Sequence, residues 1–347
     1  MTLVRSSVKA LVNNTHAIMN RVNFSTEKLG EKGLAILEEC NKNSVILQEA
    51  VKSIIPPLTY DKHKGQDGRL ATIGGCQEYT GAPYFAAISA LKIGCDLSHV
   101  FCTKDAAPVI KSYSPELIVH PVLDKDGGVE EINNNWLPRM HSLIIGPGLG
   151  RHPRLLENTA IVIKEAKELN IPLVIDADGV YLLSQSPELI HGYTKAILTP
   201  NIMEFKLLYK KVIGEEPDLG AVVDGTMRLC QKLGNVTIVN KGACDIITDG
   251  KKVLINSMEG SPRRCGGQGD LLSGSMGTMT FWAHNFYKNK DLDDNVYQFG
   301  GPTMIAAYGA SLITRTCAKL AFAKRHRSMT TTDMIAEIFD ASKNLFE

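Results

Sequence analysis

Eight cysteines occur in the 347-residue chain, yet none forms a C-x-x-C pair and none shares a zinc-type spacing with histidine. That argues against the common zinc sites and against a disulfide framework, and fits reduced thiols in a reducing compartment. No apolar run reaches the ~18 residues of a membrane-spanning helix. An excess of either charge is missing too: 38 Lys and Arg oppose 37 Asp and Glu, a net charge of +1. A nucleic-acid partner ordinarily needs a basic surface, so that class is disfavoured. The kinase signatures H-R-D and D-F-G are absent, and no Ser-His-Asp or Cys-His arrangement can be argued from spacing. No internal repeat of ~20–50 residues stands out, and no low-complexity linker interrupts the chain after Glu27. With 44% hydrophobic and 22% charged residues the chain reads as globular, and without a linker it reads as one large domain over residues 34–347.

The first 26 residues lack acids altogether, while Arg5, Lys9 and Arg21 are present and Leu3, Val4, Val8, Leu11, Val12 and Ile18 can share a helical face. That is the composition of a mitochondrial transit peptide, with a cleavage site possible near 21–25; a plain leader on a cytoplasmic protein is the alternative. Residues 34–55 have helical apolar spacing, as one helix or two, and stop at Pro56-Pro57. The polar loop that follows carries His63 and Lys64, which could face a phosphate or simply solvent.

From there short apolar runs alternate with helical patterns. Strands are expected at 70–73, 97–102, 117–122, 142–145, 172–175, 195–198 and 236–239, with a hairpin at 246–255 turning on Asp249-Gly250. Helices are expected at 84–94, 106–111, 159–169, 180–183, 221–233, 301–323 and 334–345. This alternation is that of an α/β fold, a mostly parallel sheet with helices on both faces. Most strands run into loops of Gly, Asp or Pro, at the carboxyl edge where open α/β folds bind ligands. The turn Gly74-Gly75 leads into a small-residue helix, the geometry of a phosphate site, although no G-K-[ST] follows it.

The stretch 260–274 stands at the centre of this pattern. Gly266, Gly267 and Gly269 precede Asp270, and a helix-forming run with Leu271, Leu272, Met276 and Met279 follows. A helix starting there would aim unpaired N–H groups at an anion, and Asp270 could take a proton from an attacking hydroxyl. The bland reading is a tight turn with an N-cap Asp. Asp176 and Asp178, at the end of a strand, could serve magnesium or cap a helix; Glu204 could hold a metal-bound water or favour a helix start. With Lys241, Arg263 and Arg264 as cations, these are the parts that phosphoryl transfer needs.

Seven motifs in order carry a resemblance: Lys64-Gly65-Gln66; Ile73-Gly74-Gly75 with 79–83; Gly146-Pro147-Gly148-Leu149-Gly150-Arg151; Ile175-Asp176-Ala177-Asp178-Gly179; Thr199-Pro200-Asn201 with Glu204-Phe205; Lys241-Gly242 with Asp245; and Gly266-Gly267-Gln268-Gly269-Asp270. Through them the chain resembles the ribokinase-like family and, within it, the eukaryotic NAD(P)H-hydrate dehydratases, over about 54–339. The resemblance implies a three-layer α/β/α fold. It also implies an ATP-dependent repair of NADH and NADPH whose nicotinamide ring has been hydrated at C6 (NADHX and NADPHX), with Mg2+. The hydroxyl is phosphorylated and phosphate then leaves. Asp270 would be catalytic. Gly148, Asn201, Ile202, Met203, Glu204, Phe205, Lys206, Leu207 and Asp270 would contact the hydrated dinucleotide. Lys241, Gly242, Ala243, Cys244, Asp245, Gly260, Ser261, Pro262, Arg263, Arg264, Cys265, Gly266, Gly267, Gln268 and Gly269 would contact ATP, and Asp178 and Glu204 would serve magnesium.

Cys265 and Gln268 replace the threonines of the bacterial turn. No epimerase domain fits before Leu34, so the epimerase is expected on a separate protein; relatives often form dimers or larger rings. A ribokinase-like vitamin or hydroxyethylthiazole kinase, and a non-catalytic dinucleotide sensor, are the rival readings.

Overall fold

Among the described residues the alternating apolar runs assemble into one sheet of nine strands. A computed structural model describes residues 29–288 and 298–347; the leader 1–26 lies outside the described residues. The strands are β1 (Arg69–Ile73), β2 (Leu97–Cys102), β3 (Ile118–Pro121), β4 (Ser142–Ile145), β5 (Leu173–Ile175), β6 (Ala196–Leu198), β7 (Thr237–Asn240), β8 (Asp245–Thr248) and β9 (Val253–Asn256). Their spatial order is β3-β2-β1-β4-β5-β6-β7-β8-β9. The pairs from β3 through to β7 are parallel, and only β7–β8 and β8–β9 are antiparallel. The order reverses between β1 and β4, so their carboxyl ends flank a topological switch point.

Both faces of the sheet are covered, which is why its strands read as continuous apolar runs and not as alternating ones. Leu143, Ile145, Leu173, Ile175, Leu198 and Ile238 belong to one buried cluster. That cluster includes side chains of α5 (Pro153–Glu168), α6 (Asp178–Gln185), α7 (Ile202–Ile213) and α8 (Val222–Lys232), which follow α1 (Gly30–Lys42), α2 (Ser44–Ile54), α3 (Gly81–Ile93) and α4 (Ala106–Tyr113) in the chain. Their neighbours along the strands, Val174, Ile197, Val239 and Ile247, belong to the opposite cluster. There they meet α2, α9 (Gln268–Lys288), α10 (Pro302–Arg325), α11 (Thr331–Ala336) and α12 (Ile338–Phe346). The three-layer α/β/α reading is therefore correct.

Helix α9 is the keel of this second layer. Leu271, Leu272, Met276 and Met279 are all buried, as are most of the residues between them. Small residues let it approach its neighbours: a Cβ on Gly274 would stand 2.1 Å from the carbonyl oxygen of Ala86 in α3. On Gly277 a Cβ would meet Ile144 of β4 at 2.7 Å. This packing fixes where the N-terminus of α9, and with it Asp270, emerges.

Several element boundaries differ from the sequence expectation. Of the two readings open for residues 34–55, two helices form, interrupted at Asn43, and the first begins earlier, at Gly30. The expected helix 159–169 begins earlier, at Pro153, because His152 caps it by accepting the Arg154 N–H and Pro153 fits the first turn. The expected helix 334–345 is also two, α11 and α12, with Glu337 at the junction.

Candidate active site

The carboxyl edge of the sheet is held together by hydrogen bonds that step from loop to loop. Gly146 N–H donates to Ile73, Asp176 N–H to Ile145, Thr199 N–H to Ile175, and Lys241 N–H to Pro200. Gly146 sits at φ +115°, and a Cβ there would lie 1.9 Å from the carbonyl oxygen of Asp176. Only glycine allows that approach. The same accounting joins the loops at the switch point, where Gly75 N–H donates to Gly148 at 3.0 Å.

At the middle of this edge lies a compact group of charges. Lys241 Nζ donates to Asp176 Oδ1 at 2.7 Å, and Thr199 Oγ1 donates to the same oxygen at 2.7 Å. Glu204 Oε2 is 4.0 Å from Lys241 Nζ. A Cβ on Gly269 would meet Lys241 Nζ at 3.4 Å and Asp176 Oδ2 at 3.5 Å, so the first turn of α9 rests on this ion pair. Asp270, in that turn, is 9% exposed. Burial, then the nearby Asp176 carboxylate, push its carboxyl well above the ordinary range, while Lys241 opposes the shift. Burial also raises Glu204, against the pull of Lys241. For Lys241 burial favours the neutral amine, but Asp176 and Glu204 outweigh it and hold the ammonium.

The glycine turn is braced from below. Gly267 lies at φ +94°, and a Cβ there would stand 2.8 Å from Thr331 Oγ1 and 2.9 Å from the Phe85 ring. Thr331 Oγ1 donates to the Gly266 carbonyl at 2.6 Å, and Gln268 Nε2 donates to the Arg263 carbonyl at 3.1 Å. Pro262, Arg263, Arg264 and Gly266 face solvent. The first N–H groups of a helix have no acceptor within it, so this turn offers donors next to exposed arginines.

Across from it, Asn201 caps α7 by accepting the N–H groups of Met203 and Glu204, while Glu204 returns the bond to the Asn201 N–H at 2.8 Å. Asn201, Ile202 and Met203 are exposed, whereas Phe205 is fully buried in the core. Phe205 therefore anchors the helix, and its side chain is not a contact for a ligand. Gly148 is buried, its Cβ position 2.7 Å from the Tyr79 carbonyl oxygen. Asp178 accepts the Gly150 N–H at 3.0 Å and Arg151 Nε at 3.0 Å, and the Arg151 guanidinium lies 4.2 Å from the centre of the Tyr181 ring.

Other expected contacts are placed differently. Cys244 is buried in a cluster with Leu29 and Leu37, and the Asp245 carboxylate is taken up by Arg315. Asp178 and Glu204 are both committed to the bonds above, and among the described residues no group of three His, Cys, Asp or Glu side chains is placed to hold a metal ion. The loop with Lys64-Gly65-Gln66 precedes β1 and so lies at the opposite edge of the sheet. There Asp96 accepts the Gly65 and Asp67 N–H groups, and His63 and Lys64 are exposed. Thr199 and Arg315 are not among the site residues expected from the sequence, and Asp176 is expected there only as a magnesium candidate or a helix cap. The sequence signals for Thr199 and Asp176 are their place at strand ends and their membership of the motifs 175–179 and 199–201.

The chain is similar to known proteins over most of its length. The family profile described as NAD(P)H-hydrate dehydratase matches residues 70–340. The ATP-dependent (S)-NAD(P)H-hydrate dehydratase of Bos taurus is 54% identical over 308 residues, 88% of this chain and 91% of that one. Its Homo sapiens counterpart is 56% identical over 299 residues, 86% and 84% of the two chains. Among solved structures, the ADP/ATP-dependent NAD(P)H-hydrate dehydratase of Bacillus subtilis, co-crystallised with ATP/Mg2+, aligns with a TM-score of 0.63 at 19% identity, over 86% of this chain and 97% of that one. A ribokinase-like superfamily protein of Enterococcus faecalis gives 0.67 at 21% identity, over 86% and 94%. The two structures bear on the fold alone, whereas the profile and the animal sequences go further: the chain belongs to the NAD(P)H-hydrate dehydratase family.

Proposed function

We propose that this chain dehydrates the S epimer of hydrated NADH and NADPH in an ATP-dependent reaction and so returns the working cofactors. The observation that carries the reading is Asp270: a buried carboxylate in the first turn of α9, beside the Asp176–Lys241 pair and directly after an anion-receiving glycine turn. Burial and then Asp176 raise its pKa, so the carboxylate binds a proton more tightly than an ordinary aspartate, as suits a general base.

In this reading Asp270 takes the proton of the C6 hydroxyl as the oxygen attacks the γ-phosphorus of ATP and ADP departs. The N–H groups of residues 266–269 would hold the charge that develops on the transferred phosphoryl group, and Lys241 would stabilise the site from the sheet side. Phosphorylation makes the oxygen a good leaving group. The ring-nitrogen lone pair then expels phosphate, and loss of a proton from the adjacent ring carbon restores the dihydropyridine. The exposed start of α7, with Asn201, Ile202 and Met203, and the loop around Gly148 would receive the dinucleotide.

Magnesium would come with the nucleotide. Asp178 and Glu204 are hydrogen-bonded within the chain, so they suit an ion held through water and not a direct protein cage. Bound there, the ion would neutralise phosphate charge. The acid-free residues 1–26 support delivery to mitochondria, testable with a fluorescent fusion of that segment.

The test is incubation with hydrated NADH, ATP and magnesium. The absorbance of the reduced nicotinamide returns only when ATP is present. Consumption of ATP with accumulation of a stable phosphorylated substrate would instead make the chain a kinase.

A further inference from the structure

Arg315 belongs to none of the motifs, yet it ties the 242–245 segment, read above as part of the nucleotide side, to the chain at Met258 that leads into the 260–269 turn. Its side chain is 13% exposed, on the inner face of α10. Nε donates to Asp245 Oδ2 at 2.8 Å, and Nη2 donates to Asp245 Oδ1 at 2.7 Å and to the Gly242 carbonyl at 2.9 Å. Nη1 donates to the Ala243 carbonyl at 2.9 Å and to the Met258 carbonyl at 3.2 Å. A guanidinium has five N–H bonds in a rigid plane, and here each has an acceptor. One turn earlier Ser311 donates to Asp245 Oδ2 at 2.6 Å and accepts from Asn256 Nδ2 at 2.7 Å.

The acceptors are informative. A fork to Asp245 alone would be a buried ion pair, which is weak evidence for stability. Three of the five donors go instead to main-chain carbonyls of two separate segments, 242–243 and 258. The first follows Lys241, and the second leads into the 260–269 turn. Gly242, Ala243 and Glu259 are exposed, so little apolar burial is gained by holding them. What is gained is orientation. A trans peptide aims its N–H opposite to its C=O, so a carbonyl turned to Arg315 directs the N–H groups of Ala243 and Glu259 to the other side.

We infer that Arg315 is a positioning residue for ATP, locking the peptide planes of the 242–245 turn and of the chain at 258 into the arrangement that receives the nucleotide. The inference rests on the reading of these segments as the ATP side. Lysine cannot replace it: a point charge with three donors cannot span two carboxylate oxygens and three carbonyls in one plane.

The test compares Arg315→Lys with the parent in steady-state kinetics and in melting with and without ATP. The expected result is a KM for ATP raised about tenfold or more, an unchanged KM for hydrated NADH, and a smaller ATP-induced rise in melting temperature. Ser311→Ala, which touches Asp245 but no loop carbonyl, should keep a KM for ATP near that of the parent. If Arg315→Lys fails to fold, the double variant Asp245→Asn/Arg315→Gln removes both buried charges and the carbonyl clamp together, and the same rise is expected. A parental KM for ATP in either folded variant overturns the inference, as does an equal loss for both substrates that tracks the melting temperature. Absence of any ATP effect in the parent protein would instead overturn the nucleotide-side reading itself.

Discussion

Lys241 and Asp176 form a 2.7 Å ion pair at the end of the central strands, and Gly269 lies against both partners. The pair does two things for the next residue, Asp270. The carboxylate of Asp176 discourages its ionisation, and the ammonium of Lys241 encourages it, with burial the largest influence of all. The balance leaves a carboxyl that binds a proton more tightly than an ordinary aspartate; in the proposed mechanism the Lys241 ammonium would stand beside the reacting phosphate.

Replacing that base should stop the chemistry without emptying the site. Asp270→Asn is expected to lower kcat about 10²–10⁴-fold, the usual share of a general base. The KM for ATP should stay within a few-fold of the parent. Unchanged turnover would remove Asp270 from the mechanism.

The pH profile reports the same carboxyl. The acid limb of kcat/KM should lie above the ordinary aspartate range, since burial and then Asp176 raise the Asp270 pKa. In Asp176→Asn one like charge is gone and Lys241 is released toward Asp270. Both changes favour the ionised form, so the limb should move to lower pH. A limb that moves upward, or stays in place in an active variant, contradicts the electrostatic account.

Stability should respond with the opposite sign to activity. A pKa raised on folding contributes stability that is full below the unfolded value, near 3.9, and is lost as pH rises through the folded value. Asparagine cannot ionise. Asp270→Asn is therefore expected to melt at or above the temperature of the parent at neutral and alkaline pH, and scanning calorimetry across that range checks it.

Two glycines of the same motif should behave differently on substitution. A Cβ on Gly274 would collide with the Ala86 backbone at 2.1 Å, whereas on Gly266 it would meet nothing within 4 Å. Gly274→Ala should cost about 1–3 kcal/mol or more, the range of overpacked cores. Gly266→Ala should melt close to the parent. Equal melting temperatures for the two variants would show that α9 and α3 are not locked as described.

The strands and the loops that follow them could be read directly, because a sheet buried on both sides demands apolar runs and its carboxyl edge carries Gly, Asp and Pro; the spatial order of the strands could not. Nor could side-chain pairing. Lys241 and Asp176 are 65 residues apart, and Arg315 and Asp245 are 70 apart; only the parallel register and the packing of α10 bring each pair together. Phe205 shows a different limit. A run read as one block, 201–207, is split by the helical period, so that Asn201, Ile202 and Met203 face out while Phe205 faces the core with Leu208. Lys64-Gly65-Gln66 contributes to the resemblance but braces the far edge of the sheet through Asp96. A motif can thus carry a resemblance and still lie at the edge of the sheet away from the Asp270 turn.

A phosphoryl group that serves only to make a leaving group must be released as phosphate in every turnover, so the stoichiometry of one reaction tests that role most directly. Hydrated NADH should be supplied with ATP and magnesium, and ADP, free phosphate and reduced nicotinamide followed together. All three should appear in equal amounts, and with Asp270→Asn all three should form about 10²–10⁴-fold more slowly. ADP formed without matching phosphate, alongside a phosphorylated dinucleotide that persists, would contradict that role.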